Sequence, residues 1–306
     1  MNEDQATGWA EGTSADLVAD ALALGVKASA RMVTAWVEEG LLASPEPRKT
    51  SAHGSDPRVF PPLQRKLFTK LLEVRERSPL GRIPQRALIR LVLHMWLADD
   101  TVVLTPQARR AWRTHARSFG QVTATKRSEG ARAVVEQLAH PSASFKQRRA
   151  AQLVLEEDER TQQIDLHRLT SVLTELCSPW PTQPGSPRIE RALPTPFGPL
   201  TVQQVIAMWK ATQQTIRRLR HEEIDETALD RARAVHRQTW AEYQVHRSAA
   251  LAAGAGAFTS TIAVPDTVEG QVIEQVIAFV GTLAGELGLI EAASHEVEAV
   301  RLRRTR

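Results

Sequence analysis

The chain has 306 residues, one cysteine and a formal net charge of +4, and its length is typical of two or three domains. Its 42% hydrophobic and 24% charged residues exclude a disordered protein, and no apolar stretch reaches the roughly 18 residues of a membrane-spanning helix. The single thiol, Cys177, excludes an internal disulfide and a cysteine-based zinc site. Residues 1–4 are acidic and do not resemble a secretory signal, so a cytoplasmic location is expected.

The first elements of the chain are two short helices. Ser14 is predicted to cap a helix that ends at Gly25. Ser29 is predicted to cap a second helix over residues 30–39, with an inward face of Val33, Trp36 and Val37, and Gly40 follows it as a left-handed C-cap. Because apolar residues recur at helical spacing in most of the chain, the sequence predicts an all-α fold with a small β-hairpin wing.

The hairpin is predicted over residues 44–60, which are rich in Pro, Ser, Gly and Asp, with residues 57–60 as its return strand. Pro61 and Pro62 begin a third amphipathic helix whose apolar stripe starts at Leu63. Further helices are predicted at about 85–97, 105–118, 128–139, 143–158, 163–177, 200–221 and 226–252, followed by a final helical region at 268–300.

Two short helices, a hairpin and a third helix, in that order, are the plan of a winged helix-turn-helix. A second helix that enters the major groove needs a buried apolar side and an exposed side of short or basic residues. Ala30, Arg31, Thr34 and Ala35 meet that need. Basic residues of the hairpin are then predicted to hold the DNA backbone.

Residues 29–42, SARMVTAWVEEGLL, resemble the second helix of the MerR family of bacterial transcription regulators. Ser29, Arg31 and residues 40–42 match the family pattern in register, and Trp36 stands at its second aromatic position; Thr34 and Ala35 depart from it. The resemblance covers about residues 14–77. It implies a nucleoid-associated bacterial regulator that binds double-stranded DNA as a homodimer, and it implies no metal or thiol sensor, since no cysteine ligands can be mapped.

Geometry and resemblance together assign roles to a set of candidate DNA-binding residues. Ser29 is predicted to cap the second helix and direct its first amides towards a phosphate, while Arg31 and Thr34 face the groove. The alternative for Arg31 is a merely solvated helix residue. The full set of candidates is Lys27, Ser29, Arg31, Thr34, Arg48, Lys49 and Arg58.

The positive charge is concentrated in residues 81–150, which carry 13 basic and four acidic side chains. Such a segment is either a second surface for a phosphate backbone or a solvated face. The basic side chains are Arg82, Arg86, Arg90, Arg109, Arg110, Arg113, Arg117, Lys126, Arg127, Arg132, Lys146, Arg148 and Arg149.

The predicted organisation has five segments. They are a flexible N-terminus (1–13), a winged helix-turn-helix (14–78), a basic helical domain (79–178), a Pro-rich linker (179–199) and a C-terminal helical domain for dimerisation or sensing (200–306). In the last segment, an apolar stripe suits either self-association or an internal core. Its members are Val272, Ile273, Val276, Ile277, Val280, Leu283 and Leu287.

The chain offers no recognisable catalytic motif: paired metal-ligand histidines, a phosphate-binding glycine loop and a GxSxG elbow are all missing from the sequence. No catalytic residue, metal or cofactor is predicted. The favoured function is a sequence-specific, DNA-binding transcription regulator. One alternative is an architectural, segregation or excision protein on DNA; another is a helical protein-interaction scaffold that does not bind DNA.

Overall fold

The computed structural model describes residues 9–48, 57–76, 82–99, 101–119, 123–161, 163–178, 200–252 and 267–304. These residues form twelve helices and one two-stranded antiparallel sheet. The predicted all-α architecture with a small hairpin is therefore confirmed at that level. The predicted linker, 179–199, lies outside the described residues.

The helices are α1 (Ser14–Ala23), α2 (Ala30–Glu39), α3 (Pro62–Glu76), α4 (Gln85–Ala98), α5 (Thr105–Ser118), α6 (Ala124–Leu138), α7 (Phe145–Thr161), α8 (Leu166–Cys177), α9 (Val202–Arg220), α10 (Glu226–Ala252), α11 (Val268–Glu286) and α12 (Leu289–Arg304). The strands are β1 (Glu46–Pro47) and β2 (Arg58–Val59), which pair Glu46 with Val59 and Pro47 with Arg58. The final helical region predicted at 268–300 is two helices, because the chain turns at Gly288 with φ +66°.

The chain folds as two compact units. Unit 1 contains residues 1–118 and 219–230, and unit 2 contains residues 119–218 and 231–306. The domain boundary predicted at residue 78 lies inside unit 1, because α5 packs against α2 as well as against α4. The sequence pattern marks helices but does not show which helices share a core.

The core of unit 1 forms where α1, α2 and α3 meet. Val33 and Trp36 of α2 are buried as predicted, and the Trp36 ring meets Phe68 of α3 edge-on at 5.3 Å. Arg65 of α3 holds α1 through two hydrogen bonds to the Asp20 carboxylate, of 2.5 and 2.8 Å. The α1 face that carries Asp20 is thereby fixed relative to α3.

Two details at the N-terminus differ from expectation. Thr13, not Ser14, caps α1, since its hydroxyl accepts from the Asp16 backbone and the Asp16 carboxylate accepts from the Thr13 backbone. This is a capping box. Gly12, inside the segment expected to be flexible, exchanges two backbone hydrogen bonds with Phe60 at 3.1 and 2.7 Å, which ties the N-terminus to the residue that directly follows β2.

The core of unit 2 is formed by α6, α7 and α8 together with α9, α11 and α12. The apolar stripe of α11 lies inside this unit: Val276, Val280 and Leu283 are at most 1% exposed. Val272 is also buried, whereas Ile273, Ile277 and Leu287 are half-buried, so most of the stripe is internal core. In the described part of the chain, no single helix has the length and hydropathy to cross a membrane, whereas α11 and α12 taken as a pair, bent by 76°, meet those two criteria.

Candidate nucleic-acid interface

The start of α2 is an exposed helix N-terminus. The Ser29 backbone is extended, and its hydroxyl accepts a hydrogen bond of 3.3 Å from the Met32 amide, so the predicted cap is confirmed. The Ser29 and Ala30 side chains are exposed. Backbone amides at such a terminus, together with the helix dipole, favour an anion such as a phosphate.

One face of α2 is buried and the opposite face is open. Ala30, Arg31, Thr34 and Glu38 are all exposed, on the side away from Val33 and Trp36. The Arg31 guanidinium has no hydrogen-bond or ion-pair partner among the described residues. The Thr34 hydroxyl donates to the Ala30 carbonyl at 3.1 Å, which leaves the Thr34 methyl group available for contacts with a partner. The open face thus combines the long cation of Arg31, the small side chains of Ala30 and Thr34, and the Glu38 carboxylate at the C-terminal end.

The end of α2 is fixed by α5. Gly40 has φ +84°, as its position predicts, and a Cβ atom placed there would lie 2.2 Å from the Ala111 backbone nitrogen. Arg110 donates to the carbonyls of Val37 (2.9 Å) and Leu42 (3.2 Å). Burial lowers the pKa of Arg110, and the neighbouring Arg113 lowers it further. The bond to Val37 provides a donor to a carbonyl of the last turn of α2, and the bond to Leu42 holds the chain just after the helix.

A pair of buried amides joins the hairpin root to α3 and α5. The Gln64 side chain accepts from the Ala43 backbone (2.8 Å) and donates to the carbonyl of Val102 (2.6 Å) and to Gln107 (3.0 Å). Gln107 in turn donates to the Leu41 carbonyl at 3.0 Å. Sequence reasoning missed this network, although a glutamine inside the apolar stripe of α3 was a signal for it.

The remaining candidate cations are not equivalent. Lys27, in the turn between α1 and α2, and Arg58, on β2, are exposed and have no partner among the described residues. Arg48 forms an ion pair of 3.3 Å with Glu11. Lys49 lies outside the described residues. The structure therefore leaves Lys27, Arg31 and Arg58 as the available cations of the candidate set.

The basic segment is divided between the two units. Residues 82–117 belong to unit 1 and residues 126–149 to unit 2. Arg109, Arg110 and Arg113 bind backbone carbonyls inside unit 1, and Arg148 binds the carbonyls of Ala143 and His140 in unit 2. Four of the 13 basic side chains in residues 81–150 therefore bind the backbone at helix ends and turns.

The described ranges contain no cluster of side chains that could hold a metal ion. No three His, Cys, Asp or Glu side chains come together there as metal ligands. Cys177 is buried and its thiol donates to the Leu138 carbonyl at 3.3 Å. A cavity of about 320 Å³ lies between the hairpin root and the start of α5, and its lining combines four prolines and two leucines with six polar or charged residues.

No family model, curated protein or solved structure matches this chain.

Proposed function

We propose that the protein is a sequence-specific DNA-binding transcription regulator, and that unit 1 is a MerR-like winged helix-turn-helix. The observation that carries the proposal is the N-terminal part of the open face of α2, where an exposed, unpaired Arg31 stands beside Ala30 and Thr34 next to the capped N-terminus, with Glu38 at the other end of the face. An α-helix with such a face fits the major groove, because only short side chains let the base edges come within hydrogen-bond distance.

The candidate residues divide into two roles. Arg31 reads a base, and a bidentate contact with a guanine is the arrangement that suits its guanidinium. Lys27, Arg58 and the first amides of α2 hold phosphates, which fix the register of the helix but carry no sequence information. Arg48 contributes less to phosphate binding, because its charge is already paired with Glu11.

The homodimer belongs to the same proposal. Two-fold dimers bind two half-sites about one helical turn, or a multiple of it, apart. Because most of the α11 stripe is internal core, we expect the contact between copies to use another surface.

The test is recovery of genomic DNA fragments by the purified full-length protein at physiological salt, followed by sequencing. Arg31→Ala and Arg58→Ala are run beside the wild type, and Arg303→Ala, which removes an exposed arginine from α12, is the control. We expect a short enriched sequence with two-fold symmetry that Arg303→Ala retains. Arg31→Ala should lose it, whereas Arg58→Ala should recover the same sequence in lower yield.

Two results would reject the proposal. Absence of enrichment by the wild type would remove the DNA-binding function and favour a protein-interaction scaffold. Enrichment that neither Arg31→Ala nor Arg58→Ala alters would place DNA binding on a different surface from α2.

A further inference from the structure

The turn between α9 and α10 belongs to unit 1, although the residues before and after it in the chain belong to unit 2. Residues 219–230 belong to unit 1, whereas the rest of both helices, 202–218 and 231–252, belongs to unit 2. Leu219, Ile224 and Leu229 of this turn are at most 4% exposed. The turn is therefore a packed part of unit 1, and any movement of α9 or α10 in unit 2 acts on it along the chain.

Hydrogen bonds fix the turn along the length of α5. Arg109 donates to the carbonyls of Glu222 (2.9 Å) and Ile224 (3.0 Å). Arg220 donates to the Ala116 carbonyl near the end of α5, at 3.2 and 3.3 Å. At the start of α5, the Thr105 hydroxyl donates to the Asp230 carboxylate at 2.6 Å.

Arg113 connects the turn to α2. One of its terminal nitrogens donates to the Glu222 carboxylate, and the other donates to the Glu38 carbonyl of α2 at 2.7 Å. The Arg113 side chain is 21% exposed. One half-buried guanidinium therefore joins the last turn of α2 to the α9–α10 turn, and a displacement of Glu222 changes the donor available to α2.

The backbone at Glu222 is strained. Its φ is +59°, and among the described residues it is the one non-glycine residue with a positive φ. A non-glycine side chain makes that conformation unfavourable, because Cβ comes close to the following carbonyl oxygen. The conformation persists only where surrounding contacts hold it, which is typical of residues under a functional constraint.

We propose that the α9–α10 turn positions the C-terminal end of α2 through the Glu222–Arg113–Glu38 connection, and so transmits the state of helices α9 and α10 to the helix that reads DNA. The positioning of α2 by the turn depends only on the contacts described above. A role of this connection in regulation rests on the proposed DNA-binding function. Glu222 and Arg113 are positioning residues, since neither is placed against DNA.

The first experiment needs no DNA. Backbone amide exchange is measured across residues 36–42 in the full-length protein, in Glu222→Gln and in Glu223→Gln, which removes the adjacent exposed carboxylate that has no partner among the described residues. Loss of a partly exposed ion pair should speed exchange at the end of α2 roughly two- to fivefold. Glu223→Gln should leave it unchanged, as should exchange in α8 for both variants. Equal exchange at residues 36–42 in Glu222→Gln and the wild type would overturn the proposal.

The second experiment uses the reciprocity of coupled sites. With the DNA fragment recovered by the wild type bound, amide exchange across residues 219–230 should slow in the wild type, and less so in Glu222→Gln. Unchanged exchange there with DNA bound would overturn the transmission. If the wild type binds no DNA, the proposed function fails and the first experiment alone decides whether the turn positions α2.

Discussion

At the scale of single residues, Gly40 shows how one position links α2 to the rest of unit 1. Its left-handed backbone and the 2.2 Å that would separate a Cβ atom from the Ala111 nitrogen leave no room for a side chain. We therefore expect Gly40→Ala to lower the free energy of unfolding by at least about 2 kcal/mol, since backbone strain and a clash with α5 add together. Denaturant titration measures the loss.

Gly25→Ala is the matched control for Gly40→Ala. Gly25 also has a positive φ, of +75°, but a Cβ atom there would meet open space. Only the backbone cost of about 1 kcal/mol should remain. Equal losses in the two variants would show that the contact with α5 does not constrain Gly40.

Of the two constraints on Gly40, the sequence predicts the left-handed backbone but not the close contact with α5. The position of Gly40 after an amphipathic helix predicts its left-handed φ, because that conformation is a local requirement of the C-cap. The close approach of α5 depends on a partner about 70 residues later in the chain. Nothing in the local pattern around Gly40 encodes that partner, and the same holds for the carbonyls that Arg110 and Arg113 bind.

At the scale of elements, the buried amides of Gln64 and Gln107 lock the hairpin root to α3 and α5. We expect Gln64→Leu to destabilise the protein by about 3 kcal/mol, because it leaves the Ala43 amide, the Val102 carbonyl and the Gln107 oxygen without their partner. Thermal or denaturant unfolding measures the change.

The control for Gln64→Leu is Gln271→Leu on the exposed face of α11, which should change stability by less than about 0.5 kcal/mol. A Gln64→Leu protein as stable as the wild type would mean that these hydrogen bonds contribute little to the packing of the elements.

The helices themselves were largely predictable, since their caps and apolar spacing are local. The predicted starts at Ser29 and Pro62 lie within a residue of the observed helices. The assembly of helices was less predictable. The α11 stripe has the spacing of a self-association face and of a core equally, and only the packing of unit 2 distinguishes the two.

At the scale of the whole molecule, each unit contains a buried histidine that opposes folding in acid. Burial lowers the pKa of His115 in α5 to about 4, with a smaller contribution from Arg90, and burial likewise lowers the pKa of His236 in α10 to about 4. The unfolded chain therefore binds more protons than the native state between pH 6.5 and 4. Stability should fall as the pH drops through this window, by roughly 2 kcal/mol for each histidine.

Amide exchange in α5 and α10, followed from pH 7 to pH 4.5 and corrected for the intrinsic exchange rate, reports on the two units separately. His236→Gln should flatten the acid dependence in α10 and leave that of α5 as it is. An α10 that keeps its full acid dependence in this variant would assign the effect to other groups.

Asp158 in α7 should change stability with pH in the opposite direction from the two histidines. Burial raises its pKa to about 6, although a hydrogen bond from the Asp165 backbone lowers it, so the native state binds the extra proton between pH 4 and 6 and stability falls as the pH rises. Asp158→Asn should raise the free energy of unfolding at pH 7 by about 2 kcal/mol and make no difference near pH 4. Unfolding titrations at the two pH values test this, and an equal effect at both would contradict it.

The central claim is that the exposed face of α2 reads DNA through Arg31. The most direct measurement is the affinity of the wild type, Arg31→Ala and Arg58→Ala for the recovered site and for a scrambled duplex, each over a range of salt concentrations. We predict that Arg31→Ala loses about 1–3 kcal/mol at the site and much less on the scrambled duplex. Arg58→Ala should lose affinity for both duplexes, with a salt slope smaller by about 1. Equal losses on both duplexes for Arg31→Ala, or no loss at all, would contradict the claim.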